Sequence, residues 1–344
     1  MTKKRKQLYW QLPFLLFLIV GTVLIVRQQH AMPYRQNHGM IFGTVYNITY
    51  QNDADLQPEI VRELQKVDRE FSMFNPRSTV TGFNNTRSCE MSKMFGEVYE
   101  LAAQVNRETF GAFDITVAPL VNAWGFGFKT RQMPDSSQVR RLLQGVGMRH
   151  LTKKKTGGRT LLVSDNPHTM LDFSAIAKGY GSDVVARLLR HKGIKNFMVE
   201  IGGEIVTSGM SPKRVPWHIG VTKPTDDSLQ QNKELQTVLN VTDKAMATSG
   251  NYRNFYYKGG RKYAHTIDPR TGYPVQHNIL SATVLAADCA TADAYATSFM
   301  VLGLDGAKKV LEKHPRLMAY LIYSDANGRN AVWFSPSLKD KIMQ

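Results

Sequence analysis

Four basic residues, Lys3, Lys4, Arg5 and Lys6, stand directly before a long apolar run, and that order divides the chain into an address and a body. Residues 12–26 carry no charge, and Leu8, Tyr9 and Trp10 extend the stretch to 19 residues, broken by the polar Gln11. As a helix such a stretch rises about 28 Å, close to the roughly 30 Å of a bilayer's hydrocarbon core. Basic residues on its leading side keep that side cytoplasmic, and Tyr9 and Trp10 suit the membrane interface. Residues 1–30 therefore read as a signal anchor, residues 31–40 as a linker and residues 41–344 as one catalytic body. The expected location is a bacterial inner membrane with the body in the periplasm. A cleaved signal peptide is the less favoured reading, because Arg27-Gln28-Gln29-His30-Ala31 lacks a small-x-small exit. A lipoprotein signal is excluded, since the first cysteine is Cys89.

The body has the composition of a folded domain. Of the whole chain 42% is hydrophobic and 21% charged, so a sizeable core is expected rather than disorder. The net charge is +16, of which five positives lie before residue 31, leaving +11 on the rest. A basic body suits a nucleic acid, an anionic membrane or a phosphate-bearing small substrate. No nucleic-acid module is recognisable, and an exported body argues against that partner. Two cysteines 200 positions apart offer no zinc-finger spacing; whether Cys89 and Cys289 pair is left open.

Periodicity supplies the elements. Residues 41–50 are β-branched and loosely alternating, hence a strand. Residues 58–71 place Ile60, Val61, Leu64, Val67 and Phe71 at helical spacing, and residues 95–108 are a second amphipathic helix. Residues 72–85, rich in Ser, Asn, Pro and Thr, read as a loop. A helix starts near Asp135, residues 153–159 form a basic turn, and residues 161–163 and 169–173 are short strands. Ser174 is expected to cap a helix reaching about His191 and closed by Gly193. Residues 196–201 are a strand, 215–285 mostly strand and turn. Residues 291–302 are a helix ending at Gly303, 305–314 another stopped by Pro315, and 318–323 and 331–334 closing strands. Strands and helices mix without strict alternation, so the fold class is α+β, or mixed α/β.

Four constellations have chemical potential. In Asp172-Phe173-Ser174-Ala175-Ile176-Ala177-Lys178-Gly179-Tyr180-Gly181 a carboxylate ends a strand and a helix begins, with Lys178 and two glycines in its first turns. Unpaired N–H groups at such a start favour an anion, and the glycines allow close approach. The pattern is neither a Walker loop nor a complete GxGxxG. Asp293 and Thr297, four apart, share a helix face and are oxygen ligands suited to Mg²⁺. His265 leads into the turn Asp268-Pro269-Arg270-Thr271-Gly272 and could serve as a general base. Gly111-Ala112-Phe113-Asp114, followed by Trp124-Gly125-Phe126-Gly127, could sandwich a flat ring. Taken singly, each has an ordinary explanation: a helix cap, a polar helix face, a surface hairpin, core aromatics.

Their order and wording go further. GAFDITVAPLVNAWGFG from residue 111, LDFSAIAKGY from 171, IGGE from 201, TSGNYR from 248, HTIDPRTG from 265 and ADAYAT from 292 closely resemble the ApbE family, the FAD:protein FMN transferases, across roughly residues 39–336. The resemblance implies an enzyme that splits FAD at its pyrophosphate. With Mg²⁺, FMN passes to a Thr or Ser hydroxyl of an exported or membrane acceptor flavoprotein through a phosphoester, and AMP is released. Acceptors of such enzymes include subunits of sodium-pumping quinone reductases and electron-transport complexes. Some members mainly hydrolyse FAD, and a flavin-binding module without turnover is the non-enzymatic alternative. Carried over residue by residue, the resemblance makes Asp293, Thr297 and the carbonyl of Ala175 the Mg²⁺ ligands. It makes Phe42, Phe74, Ala112, Phe113, Asp114, Asp172, Lys178 and the backbone at Ile267 FAD contacts, and His265 the base that deprotonates the acceptor hydroxyl. Phe74 stands where the family usually has Tyr, and Phe42 where it has Met.

Overall fold

The computed structural model describes residues 3–127, 133–225, 234–251, 255–258 and 261–343. In chain order they form α1 (Lys3–Ala31), β1 (Tyr34–Ile41), β2 (Thr44–Gln51), α2 (Gln57–Phe71), α3 (Thr79–Thr86), β3 (Ser88–Glu90), α4 (Lys93–Glu108), α5 (Ala118–Ala123) and α6 (Ser136–Leu143). There follow β4 (Leu151–Thr156), β5 (Arg159–Ser164), α7 (Ala177–His191), β6 (Phe197–Ile201), β7 (Glu204–Ser208), β8 (His218–Thr222), β9 (Leu235–Asn240) and β10 (Ala245–Gly250). The chain closes with β11 (Phe255–Lys258), β12 (Arg261–Ala264), β13 (Ile279–Ala286), α8 (Cys289–Lys313), β14 (Met318–Ser324) and β15 (Asn330–Phe334). Tyr252 and Arg253, the end of the TSGNYR motif above, lie outside the described residues.

Eight strands make one antiparallel sheet in the order β1-β2-β6-β7-β10-β13-β14-β15. Three smaller sheets, β3-β5-β4, β8-β9 and β11-β12, flank it. The mixed class read from the sequence holds. Tight two-residue turns join β1 to β2 and β6 to β7. Phe42 and Gly43 both have positive φ (52° and 73°), as have Gly202 and Gly203 (62° and 99°). Such pairs let the turn follow the strands' own right-handed twist, which glycine does without a steric penalty.

Helices α7 and α8 cover one face of the sheet. A Cβ on Gly179 would stand 2.4 Å from the carbonyl oxygen of Cys289, so the two helices touch backbone to backbone there. Asp183 of α7 accepts from the N–H groups of Cys289 (2.8 Å) and Ala290 (2.9 Å), satisfying donors at the start of α8 that have no partner within the helix. Behind α7 an aromatic knot of Phe71, Phe95 and Phe173, with ring centroids 5.1–5.7 Å apart, fixes the approach to that helix. Each such pair contributes about 0.5–1.5 kcal/mol beyond burial.

Several expectations change. Residues 34–41 of the supposed linker are strand β1, paired along its whole length with β2. Its side chains are mostly half-exposed or exposed, so no apolar alternation betrays it. Residues 79–86 of the supposed loop are helix α3, capped by Ser78, whose Oγ accepts from the N–H of Thr81. The supposed basic turn at 153–159 is the end of β4 and the Gly157-Gly158 turn into β5. Residues 169–173 make only a parallel bridge, Met170 to Val117. Ser174 does not cap α7: the helix starts three residues later, and Ser174 donates its own N–H to Asp172 Oδ1 (2.7 Å). Gly303 breaks α8 with φ 73° and ψ 179°, so the two expected helices are both present. Cys89 and Cys289 are free thiols.

Leu12 to Val26 of α1 are exposed apart from Gly21. Among the described residues no helix is long and apolar enough to cross a membrane, and the side chains at both ends of α1 are not among those described.

The backbone contact at Gly179 carries a test. Gly179→Ala forces α7 from α8 and is expected to destabilise by about 1–3 kcal/mol, as overpacking does. Gly82→Ala, with nothing within 4 Å of the new methyl, serves as its control and keeps or raises the melting temperature. Equal melting temperatures for the two variants, by calorimetry, would refute the reading.

Candidate active site

The contact between α7 and α8 places the sequence's two main constellations side by side. Asp293, in the first turns of α8, is 2% exposed, and its Oδ2 accepts the N–H of Gly179 at 3.1 Å. In an ordinary helix that N–H would bond the carbonyl four residues back, which is Ala175. Because Asp293 takes it, no described donor reaches the Ala175 carbonyl. Asp293 Oδ1 likewise accepts nothing from the described residues. Thr297, one turn further along α8, shares a hydrogen bond of 3.0 Å with Ser249 of β10.

Lys178 faces the same point. Its Nζ lies 2.9 Å from Glu204 Oε1 and 3.8 Å from Asp293 Oδ2. Burial works against its charge, but the two carboxylates outweigh it and raise its pKa, so the ammonium stays charged. Burial raises the pKa of Glu204 and of Asp293, and Lys178 opposes the rise in both. The side chain of Lys178 is still 29% exposed, so the group is a charge at a wall and not one sealed in the core.

These residues line one cleft of about 740 Å³, within the range that takes a whole ligand. Into it also open Ala112, Phe113, Asp114, Asp172, Ala175, His265, Ile267 and Phe74. Eleven of the twelve expected site residues thus meet in one place, though they come from segments more than two hundred positions apart. The cause is the sheet order: the turn from β6 to β7 and the ends of β2 and β10 supply Thr44, Glu204 and Ser249 at one side of the cleft.

Asp114 is held by the N–H and hydroxyl of Thr116 (2.8 and 2.6 Å) and by the N–H of Met148 (3.2 Å). Burial nevertheless raises its pKa, as it does that of Asp172. Phe74, 68% exposed, stands at the mouth. His265 sits edge-on to Phe126, with centroids 6.4 Å apart. Phe126 stacks on Tyr256, which stacks on Tyr263, which stacks on Trp124 (5.3, 5.5 and 5.9 Å). The Trp124 indole N–H then donates to the carbonyl of Gly272 (2.8 Å), tying this ladder to the 268–272 turn.

One expected contact lies elsewhere. Phe42 does not line the cleft but packs against the core, its ring occupying the space where a Cβ on Gly181 would stand (2.7 Å). Gly179 and Gly181 therefore serve packing, one against α8 and one against Phe42, and not the close approach of an anion. Glu204 and Ser249 belong to motifs visible in the sequence, but nothing there marked their roles. A carboxylate directly after a Gly-Gly turn was the available signal.

The oxygen atoms left open here are chemically alike. A carboxylate, a hydroxyl and a freed carbonyl form a hard donor set, fitting Mg²⁺ better than a soft metal. Among the described residues no group of three or more His, Cys, Asp or Glu could hold a metal, so any cation here leans on neutral oxygens.

Lys178→Met leaves two buried carboxylates without their cation, which costs about 3–5 kcal/mol for a broken buried pair. Both acids have folded pKa values raised above their unfolded ones, so the folded variant binds more protons between those values. Its stability is then lost as pH rises. The deficit against wild type should be largest near pH 8 and shrink toward pH 5, measured by urea unfolding. A deficit independent of pH would contradict this electrostatic account.

Residues 42–322 match the ApbE family. A protein of Escherichia coli (strain K12) named FAD:protein FMN transferase is 32% identical over 320 residues, covering 90% of each chain. One of Vibrio cholerae serotype O1 is 39% identical over 306 residues, covering 85% of this chain and 89% of the relative. Among solved structures, the flavin transferase ApbE from Vibrio cholerae superposes with a TM-score of 0.80 at 36% identity, covering 90% of this chain and 99% of that one. The apo form of Pseudomonas stutzeri flavinyl transferase ApbE gives 0.79 at 28% identity, with 90% and 97% covered.

Proposed function

This chain belongs to the ApbE family and is a flavin transferase that uses FAD, and on that premise we propose that it moves FMN from FAD to a Thr or Ser hydroxyl of an acceptor flavoprotein, releasing AMP, with Mg²⁺. The observation that carries this reading is the freed carbonyl of Ala175 beside the open carboxylate oxygen of Asp293 and the hydroxyl of Thr297. All three border a cleft that also holds Lys178 and His265.

In this reading the acceptor oxygen forms a bond to the phosphorus on the FMN side, and the bridging P–O bond to AMP breaks. Lys178 neutralises charge on the pyrophosphate, and its two carboxylate neighbours keep its ammonium protonated. Asp293, Thr297 and the Ala175 carbonyl would hold Mg²⁺, which would supply further charge neutralisation, the main demand of phosphoryl transfer. His265 takes the proton of the incoming hydroxyl, a weak nucleophile at its own pKa. Asp114, Ala112, Phe113, Asp172, Ile267 and Phe74 orient FAD along the cleft. Were water to replace the acceptor hydroxyl, the same parts would hydrolyse FAD to FMN and AMP.

Asp293→Ala, and wild type in excess EDTA, should show no transfer. His265→Ala should lose about 10²–10⁴-fold in rate while still binding FAD. Mass spectrometry of a threonine-bearing acceptor domain for added FMN, with chromatography for AMP, checks both. Undiminished transfer by Asp293→Ala would sink the metal reading, and FMN plus AMP formed at full rate without acceptor would favour hydrolysis.

The exposed apolar face of α1 and the basic run before it support attachment to an inner membrane with the body in the periplasm, where exported acceptors such as quinone-reductase subunits reside. The full chain should then sediment with membranes and residues 32–344 should not. A full chain released by high salt alone would rule out insertion.

A further inference from the structure

Beyond helping to keep the Lys178 ammonium protonated, Glu204 has no role among those above, yet it stands in the charged wall. It is 4% exposed. Its Oε1 takes the Lys178 ammonium at 2.9 Å, and its backbone carbonyl accepts from Ser182 Oγ at 2.9 Å, tying the first residue of β7 to α7. Its other oxygen, Oε2, is buried, and no described group donates to it. Leaving a buried carboxylate oxygen without a donor is destabilising, and native structures seldom tolerate it without a functional reason.

The charges sharpen the oddity. Lys178 faces two carboxylates, Glu204 and Asp293, in a wall proposed to meet a pyrophosphate. For stability alone, Asp293 would suffice as the lysine's partner. What Glu204 adds is direction. Lys178 sits at the end of a flexible four-carbon stem, and with Asp293 alone its ammonium could settle onto the open oxygens of that residue. Glu204, which follows the Gly202-Gly203 turn and is bonded by Ser182, draws the ammonium toward itself, 0.9 Å closer than to Asp293 Oδ2. Asp293 Oδ1 accepts from no described group, and Lys178 itself lines the cleft.

We propose that Glu204 is a positioning residue for the transfer reaction: it holds the Lys178 ammonium off Asp293, so that the lysine meets the pyrophosphate of FAD while the aspartate keeps an oxygen for the cation. The proposal rests on the flavin-transfer reading given above. In this proposal Glu204, though at the cleft wall, acts through Lys178.

The test is a double-mutant cycle with Glu204→Gln, Lys178→Met and the pair, reading kcat and KM for FAD, the Mg²⁺ concentration for half-maximal rate, and the melting temperature. Glu204→Gln should lower kcat/KM at least tenfold and raise the Mg²⁺ requirement, while its melting temperature stays within about 2 °C of wild type or rises, since a buried charge is removed. In the Lys178→Met background the same change should have less than a twofold effect, because the lysine it steers is gone. Wild-type kcat/KM in Glu204→Gln overturns the proposal, as do effects that multiply independently in the double variant. A fall in activity that only tracks a fall in melting temperature does so too. Should Glu204→Gln fail to fold, Glu204→Met takes its place. If wild type itself transfers no FMN, the functional reading fails, and FAD affinity by fluorescence then carries the same cycle for Glu204 alone.

Discussion

At Gly179 two helices meet with no room for a side chain between them, and the site depends on that meeting. The 2.4 Å that a Cβ would leave to the Cys289 carbonyl forces α7 and α8 together at their first turns. Only at that distance can Asp293 reach across and take the N–H of Gly179. One contact thereby does two things: it satisfies a donor at the start of α7, and it releases the carbonyl of Ala175. Asp183 reciprocates by capping α8 from the other helix. Each helix thus supplies the other's missing partners, and the ligand-facing atoms are those left over.

What the sequence disclosed followed burial and wording. The amphipathic helices α2 and α4 were legible because their buried residues recur at helical spacing. β1 was not, because an edge strand with exposed Arg35, Gln36 and His38 has no apolar face to announce it. α3 was hidden by a composition of Thr, Asn and Gly that suits turns, and only its Ser78 cap favours a helix. The site was legible as a set of motifs, since resemblance carries residue identities across large separations. It could not say that Phe42 would leave the cleft to fill the space above Gly181. Nor could it reveal that Ala175 owes its open carbonyl to a hydrogen bond taken by a residue 118 positions later. Such facts belong to tertiary contact, which spacing does not encode.

The wall of the cleft also illustrates how a site departs from what stability alone would choose. Asp114, Asp172, Glu204 and Asp293 all have pKa values raised by burial. Four carboxylates held against their solvation preference make the wall a place that welcomes cations and donors. The fold supports them by surrounding them with close packing, including the aromatic knot at Phe173 and the small residues of α8.

The junction between α1 and β1 has a mechanical meaning. Only Met32 and Pro33 separate the end of the helix from the first residue of the edge strand. Two residues reach about 7 Å when fully extended, and β1 is bonded along its length to β2, whose first residues border the cleft. The body therefore stays within a few ångströms of the end of α1. Any surface that captures α1 would hold the mouth of the cleft at a nearly fixed height above it. An acceptor would then be chosen partly by geometry, by whether it can reach the cleft at that distance from α1.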